Sequence, residues 1–324
     1  MTTLDTVHPI LPRVGMLRSC WELTKPRVVA AIVFTAGVGM LLASDDHPRP
    51  GPMLLGCAGI WLAAASAAAF NQLLDRRLDG AMVRTRRRPL PTGRLTERAA
   101  VTFAFALGTI AMLILALGIN LLTALLTLAS LIGYSVLYTA WLKPLTPQNI
   151  VIGGAAGAAP PLLGWAVMRN SVDANALLLF LIIFVWTPPH FWALAIARRD
   201  DYAKAGVPML PVTHGIAFTS HCIVLYTVLL TTVTLLPFLT GMSGAPYLIG
   251  ATALGALFVI RALKLRAGPT PAKAMHLFRY SIHYLLLLFA LLVADHYLRI
   301  GALPQQEFNN AGISGEASRG IRAL

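Results

Sequence analysis

Nine long apolar runs dominate this chain of 324 residues and limit what it can fold into. Each run approaches the roughly 20 apolar residues that an α-helix needs to cross the hydrocarbon layer of a bilayer. Backbone polar groups in lipid must be satisfied within their own segment, so each run is expected to be helical. The predicted spans are Val28–Ser44, Met53–Leu74, Ala99–Leu117, Ile119–Leu142, Ile150–Met168, Ala176–Ala197, Ile216–Thr240, Tyr247–Leu265 and Leu277–Tyr297.

The composition agrees with a chain that lies mostly in lipid. Hydrophobic residues make up 57% of the sequence and charged residues only 12%, whereas a soluble domain is about one-quarter charged. We therefore predict an all-α polytopic membrane protein with about nine transmembrane helices. Its parts are a cytoplasmic N-terminal arm (1–22), a transmembrane domain (23–300) and a polar tail (301–324) that is expected to be disordered.

The basic residues predict how the chain is oriented. With a cytoplasmic N-terminus, 21 of the 26 Lys and Arg residues fall on the inner side and five on the outer side. The positive-inside rule therefore predicts a cytoplasmic N-terminus and an external C-terminus. A net charge of +13 would suggest nucleic-acid binding in a soluble protein. Here the charge lies mainly between apolar spans, so no nucleic-acid partner is expected.

A cluster of polar residues ends the second predicted span. Asn71, Asp75 and Asp79 are spaced i, i+4 and i+8 and would line one face of a helix. Polar residues that enter a span are costly and tend to be functional. Mg²⁺ prefers hard oxygen ligands, and one or two carboxylates with substrate phosphates make a suitable shell. The cluster therefore predicts a Mg²⁺ site, with Asp75 and Asp79 as ligands, that binds a diphosphate at the cytoplasmic surface.

Basic residues follow this cluster. Because Pro89 and Pro91 should stop the helix, Arg84 and Arg88 are expected to fold back over the site and bind the diphosphate. The alternative is a basic loop that only fixes the topology, with the aspartates paired to adjacent arginines (Arg76 and Arg77). Lys25, at the start of the first span, either reaches the diphosphate or simply anchors that span.

The sixth predicted span contains the unusual stretch Trp186–Trp192 (WTPPHFW). Two adjacent prolines remove two backbone donors and should kink the helix. His190 is then a candidate iron ligand or proton-transfer group, and the aromatic rings could stabilise a carbocation. A proline-kinked packing element with a hydrogen-bonded histidine is an equally good interpretation, and these residues alone leave both open.

Together these motifs resemble the UbiA-type intramembrane prenyltransferases and, within them, the haem O synthase family. The Asn-x₃-Asp-x₃-Asp pattern carries the wider resemblance. The narrower one rests on Asn149–Trp165 (NIVIGGAAGAAPPLLGW), Trp186–Ala195 (WTPPHFWALA) and Asp201–Pro211 (DYAKAGVPMLP). With Leu23–Val28 (LTKPRV) and the Arg84-Thr-x-x-Arg88-Pro element, it extends over about residues 23–297.

The resemblance implies a reaction and its substrates. Farnesyl diphosphate would join haem b at a vinyl group, water would add, and haem O and diphosphate would leave. Asp75 and Asp79 would hold Mg²⁺, Asn71 would orient that shell, and His190 would engage the haem. A haem A synthase or a terminal oxidase is the expected pathway partner, and the cell membrane the expected location.

The chain departs from the wider superfamily in its second polar cluster, Arg198–Lys204. Many prenyltransferases have a second Asp-x₃-Asp there, whereas this chain has Asp200-Asp201-Tyr202-x-Lys204. Haem O synthases share that reduced form. Asp201 remains a predicted metal ligand and Lys204 a predicted diphosphate-binding residue.

Two other functions are alternatives to haem farnesylation. One is a prenyltransferase for a quinone precursor or another tetrapyrrole, and the other is a transporter.

Overall fold

The computed structural model describes residues 15–44 and 48–320, with side chains as far as Arg299. No strand occurs in this described part, as the all-α prediction requires. The helices are α1 Met16–Leu23, α2 Pro26–Ala43, α3 Pro50–Leu74, α4 Arg76–Ala81, α5 Glu97–Gly118, α6 Leu121–Ile132, α7 Lys143–Leu145, α8 Asn149–Ala158, α9 Pro160–Arg169, α10 Ala174–Ala197, α11 Arg199–Lys204, α12 Leu210–Thr213, α13 Gly215–Val233, α14 Leu236–Leu239, α15 Ala245–Ala267 and α16 Pro271–Gly320. A π-helix, Gly133–Leu142, joins α6 to α7.

Nine segments of the described residues are long and apolar enough to cross a membrane, which confirms the predicted number of spans. Most predicted boundaries agree to within about three residues, and the last helix begins six residues earlier than expected, at Pro271. Of the predicted end segments, residues 1–14 and 321–324 lie outside the described part. The backbone of α16 is helical to Gly320, and the disorder of the tail stays a prediction.

Each span packs against the next along the chain, and α16 packs against α2, so the nine spans close into a ring. A close backbone contact joins α2 to α9. A Cβ atom built on Gly164 would lie 1.9 Å from the carbonyl oxygen of Ala36, and one on Gly39 would lie 2.0 Å from that of Pro161. Glycine is required at both positions because it lets two helix backbones approach this closely.

The two prolines predicted to kink the sixth span lie inside α10, which is assigned as one helix from Ala174 to Ala197. Pro188 and Pro189 cannot donate to the carbonyls one turn earlier. Next to them, the Thr187 hydroxyl donates to the carbonyl of Ile183 at 2.8 Å. The stretch therefore stays within the helix and carries His190 about 10 Å from the α10 C-terminus, at 1.5 Å per residue.

Candidate active site

The first polar cluster forms at the C-terminal end of α3. Asn71, Asp75 and Asp79 are all buried, with exposed fractions of 4%, 7% and 4%. Backbone hydrogen bonds join Asp75 N to Asn71 O at 2.9 Å and Asp79 N to Asp75 O at 2.7 Å. The expected single helix is instead interrupted at Asp75 (φ −78°, ψ −1°), which separates α3 from α4. The i, i+4 contact survives, since Asn71 Nδ2 donates to Asp75 Oδ2 at 3.1 Å.

Each carboxylate of the cluster has a basic partner from another part of the chain. Lys143 Nζ lies 2.6 Å from Asp75 Oδ2, and Arg88 Nη1 lies 2.7 Å from Asp79 Oδ2. In the described residues, the neighbouring arginines do not neutralise these aspartates. Arg76 pairs with Glu97 instead, at 2.5 Å. The predicted fold-back of the loop is therefore confirmed for Arg88.

Lys25 reaches the same cluster from the start of α2. Its ammonium donates to Asn71 Oδ1. Its backbone is in the left-handed region (φ 50°, ψ 58°), which is uncommon for a non-glycine residue and disfavoured before a proline such as Pro26. Burial, with a further contribution from the Arg88 guanidinium, lowers the pKa of Lys25 to about 7. Strained backbone of this kind clusters at functional sites.

The segment that carries Lys25 is fixed by contacts with α3 and the following loop. The Gln72 amide donates to the carbonyls of Glu22 and Leu23 at 3.1 Å and 2.9 Å. Arg94 Nη2 lies 2.8 Å from Glu22 Oε2. These long-range bonds hold the end of α1 against the cluster, so the position of Lys25 does not depend on local structure alone.

The π-helix supplies another wall of the site. Asn71 Nδ2 donates to Thr139 Oγ1 at 3.0 Å, and the Thr139 hydroxyl donates to the carbonyl of Tyr134 at 2.8 Å. Tyr134 and Tyr138 stack with ring centroids 5.6 Å apart. Gly153 of α8 leaves room for the Tyr138 ring, which a Cβ atom there would approach to 2.1 Å. Such π-helical segments occur frequently at functional sites.

A cleft of about 530 Å³ opens beside this cluster, between α1, the start of α2 and the loop after α4. Trp21 and Glu22 form part of its wall. Five basic residues also line it: Arg18, Lys25, Arg27, Arg87 and Arg88. This excess of positive charge in a concave surface favours a negatively charged ligand.

The second polar cluster, Arg198–Lys204, lies near Arg84 of the loop after α4. Burial raises the pKa of Tyr202, and the positive charge of the exposed Arg84 opposes the rise. Asp201 is 4.0 Å from Arg198, and Lys204 is exposed at the end of α11. Among the described residues, Arg84 thus acts electrostatically on the second cluster and forms no ion pair with the aspartates of the first.

The predicted metal ligands do not form a ready three-residue site. Among the residues that the structure describes, no group of three or more His, Cys, Asp or Glu side chains lies close enough to hold a metal ion. Asp75 and Asp79 instead form ion pairs with the side chains of Lys143 and Arg88. Asp201 does not lie close enough to them to complete a group of three carboxylates.

His190 is buried in an aromatic stack between α10 and α16. Its ring lies 4.2 Å from that of Trp186 and 4.5 Å from that of Phe278, at angles of 20° and 28°. Nδ1 is 2.6 Å from Ser281 Oγ. The structure therefore fixes the orientation of the imidazole, which is separate from the hydrogen-bond network of the first cluster.

Sequence reasoning missed Lys143, Thr139 and Ser281 as members of these sites. Lys143 is the first basic residue after the fourth predicted span, on the same predicted side of the membrane as Asp75. That position could have identified it as a partner of the aspartates. A hydroxyl inside an apolar span, as at positions 139 and 281, gives no comparable signal, because such groups commonly bond to their own helix.

Comparison with known proteins places this architecture in a family. The sequence pattern of the UbiA prenyltransferase family matches residues 32–292. The chain belongs to the UbiA prenyltransferase family. It is 56% identical over 281 residues to the protoheme IX farnesyltransferase of Shewanella pealeana, which covers 87% of this chain and 93% of that protein. It is 57% identical over 286 residues to that of Thioalkalivibrio sulfidiphilus, with 88% and 95% covered.

Solved structures share the fold at low sequence identity. A digeranylgeranylglyceryl phosphate synthase matches with a TM-score of 0.74 and 19% identity, over 87% of this chain and 98% of its own. A UbiA homologue from Archaeoglobus fulgidus, bound to GPP and Mg²⁺, matches with a TM-score of 0.61 and 17% identity, over 88% and 100%. The chain is thus an intramembrane prenyltransferase in sequence family and in architecture.

Proposed function

We propose that this enzyme transfers the farnesyl group of farnesyl diphosphate to a vinyl group of haem b in a Mg²⁺-dependent reaction. Water adds in the same overall reaction, and the products are haem O and diphosphate. The relatives that are 56% and 57% identical are both named protoheme IX farnesyltransferase, which supports a farnesyl donor and a haem acceptor. The observation that carries the proposal within this chain is the buried Asn71–Asp75–Asp79 cluster with its basic partners.

The donor set of this cluster suits Mg²⁺. Asp75 and Asp79 offer carboxylate oxygens, and Mg²⁺ commonly takes one or two carboxylates and completes its shell with substrate phosphates and water. Asp201 is kept as a third proposed ligand, from the second cluster. When bound, the metal would neutralise charge that develops on the departing diphosphate. The UbiA homologue solved with GPP and Mg²⁺ supports a divalent metal of this kind.

The basic residues around the cluster would bind the diphosphate. Arg88 and Lys143 already balance the two carboxylates Asp79 and Asp75, and Lys25, whose pKa is lowered to about 7, adds positive charge when it takes up a proton. A diphosphate can take over the ionic contacts that Arg88 and Lys143 make with the carboxylates. Arg84 and Lys204 are the further proposed diphosphate-binding residues, from the surface around the second cluster.

The chemical step needs no nucleophile from the protein. The bond between the farnesyl C1 carbon and oxygen breaks, and its electron pair leaves with the diphosphate. The π electrons of the haem vinyl group form the new carbon–carbon bond. The cation left beside the porphyrin ring takes the oxygen of water, and a proton is released. Apolar helix surfaces would exclude water from the allylic cation, and aromatic faces such as Trp186 would stabilise it.

His190 is the proposed contact with the haem. It is a buried imidazole about 10 Å from the C-terminal end of α10, stacked between two aromatic rings. The diphosphate site is proposed to face the cytoplasm in the cell membrane, as the distribution of basic residues predicts. A haem A synthase or a terminal oxidase would then receive the product.

Separate Asp75→Asn and Asp79→Asn variants test this proposal. Each keeps the size of the side chain and removes a metal-binding charge, so we expect haem O formation from farnesyl diphosphate and haem b to fall by at least about 100-fold. Asp200→Asn is the matched control, because this carboxylate is 86% exposed and lies in the second cluster. Haem O formation by both variants at the control rate would refute the metal role. Extracted haems identified by mass would distinguish haem O from the prenylated ring of a quinone precursor.

A further inference from the structure

We infer that Ser281 is a positioning residue that fixes the tautomer of His190 and leaves Nε2 free to bind the haem iron. This inference rests on the proposed function, in which His190 engages the haem. It goes further by assigning the nitrogen that makes the contact, and it assigns a role to a serine on α16 that lies 91 residues away in the sequence.

The hydrogen bonds of Ser281 carry the assignment. Its hydroxyl donates to the carbonyl of Phe278 at 2.7 Å, and its oxygen lies 2.6 Å from His190 Nδ1. A serine hydroxyl has a single proton. Because that proton points at the carbonyl, the contact with the imidazole must use a lone pair of Oγ, so Nδ1 carries the hydrogen and donates.

The opposite arrangement is unfavourable. If Ser281 donated to Nδ1, its oxygen would face the Phe278 carbonyl at 2.7 Å with no hydrogen between them. A buried imidazole among apolar rings is also favoured in its neutral form. A neutral imidazole with its hydrogen on Nδ1 has its free lone pair on Nε2, the form in which histidine binds metals.

The direction of that lone pair is fixed as well. Stacking between Trp186 and Phe278 sets the plane of the imidazole, and the bond to Ser281 sets its rotation within that plane. Trp186 Nε1 donates to the Ser281 carbonyl at 2.8 Å, which ties the same part of α10 to α16. Nε2 takes part in no hydrogen bond among the described residues, so its lone pair is not engaged by the rest of the described chain.

A haem titration of the purified enzyme in detergent tests the inference without turnover. Loss of a hydrogen-bond partner behind a ligating histidine typically weakens metal binding about 10- to 100-fold. We expect a loss of that size for Ser281→Ala and Ser281→Cys; the second nearly keeps the volume of serine but accepts poorly. The iron–histidine stretching frequency of the ferrous complex should fall in both, and Ser281→Thr, which retains a hydroxyl, should restore both properties.

Two further variants separate the possible failures. Ser220→Ala removes another buried serine whose hydroxyl donates three residues back, to the carbonyl of Ala217 at 2.8 Å, and should bind haem normally. His190→Ala should lose the iron–histidine band. If His190→Ala does so while Ser281→Ala and Ser281→Cys match the wild type, the role of Ser281 is refuted and the haem contact stands. If His190→Ala binds haem like the wild type, both are refuted.

Discussion

Lys143 should contribute to stability chiefly through its pair with Asp75, and Lys143→Met isolates that contribution. At 2.6 Å and an effective dielectric constant of about 20, the direct attraction is about 6 kcal/mol before desolvation is subtracted. Removing one partner of a buried pair typically costs about 3–5 kcal/mol. Because the side chains of Lys143 and Asp75 retain 15% and 9% of their exposure, we expect the lower end, about 3 kcal/mol.

The assay is a double-mutant cycle followed by thermal unfolding in detergent without substrate. At about 2 °C per kcal/mol for a chain of this size, Lys143→Met should unfold about 6 °C earlier than the wild type. Asp75→Asn removes the charge that is left unpaired, so the double variant should recover about 2 kcal/mol, a coupling energy typical of residues in contact. Lys264→Met, on the exposed end of α15, is the matched control and should stay within about 0.5 kcal/mol of the wild type.

Strictly additive effects of Lys143→Met and Asp75→Asn would refute this reasoning, since they would show that the two charges do not interact. So would a Lys143→Met protein as stable as the Lys264→Met control. In either case the network around Asn71 would have to be held by its other contacts, such as that with Thr139.

Two other perturbations follow from the same structure. Gly164→Ala would place a Cβ atom 1.9 Å from the carbonyl oxygen of Ala36 and should destabilise the protein by about 3 kcal/mol in thermal unfolding, whereas Gly37→Ala, which meets nothing within 4 Å, should be nearly neutral. Equal effects of the two changes would contradict the close contact of α2 and α9. A bound diphosphate should raise the pKa of Lys25 from about 7 towards its ordinary value of 10.5, so binding should take up a proton and affinity should fall as the pH rises above about 7. Calorimetric titration with inorganic diphosphate should show a flatter profile for Lys25→Met, and an unchanged slope would contradict that role.

The spans were predictable because their cause is local. A run of apolar residues long enough to cross a bilayer must be helical to satisfy its own backbone, whatever it packs against. The start of α16 was missed because Pro271–His276 contains polar residues that read as part of the connection. The helix in fact starts directly after Thr270. The Thr270 side-chain oxygen accepts a hydrogen bond from the backbone amide of Lys273 at 3.2 Å and so caps the first turn.

The candidate site was predictable only in its local part. Asn71, Asp75 and Asp79 were identified because the α-helical period brings every fourth residue to one side, and the bond between Asn71 and Asp75 bears this out. The same reasoning could not find their counterions. The nearest arginines in the sequence, Arg76 and Arg77, were the natural candidates and are not the partners of the aspartates.

The sequence by itself determined the number of membrane spans, the position of the polar cluster at the end of the second span, and the family to which the chain belongs. Only the tertiary structure decided that Lys143 and Arg88 neutralise the aspartates, that Lys25 holds Asn71, and that Ser281 orients His190. The physical reason is that these contacts join different segments of the chain, some of them loops, up to 91 positions apart. They exist only once the helices have closed into a ring, and no periodicity along one helix encodes them.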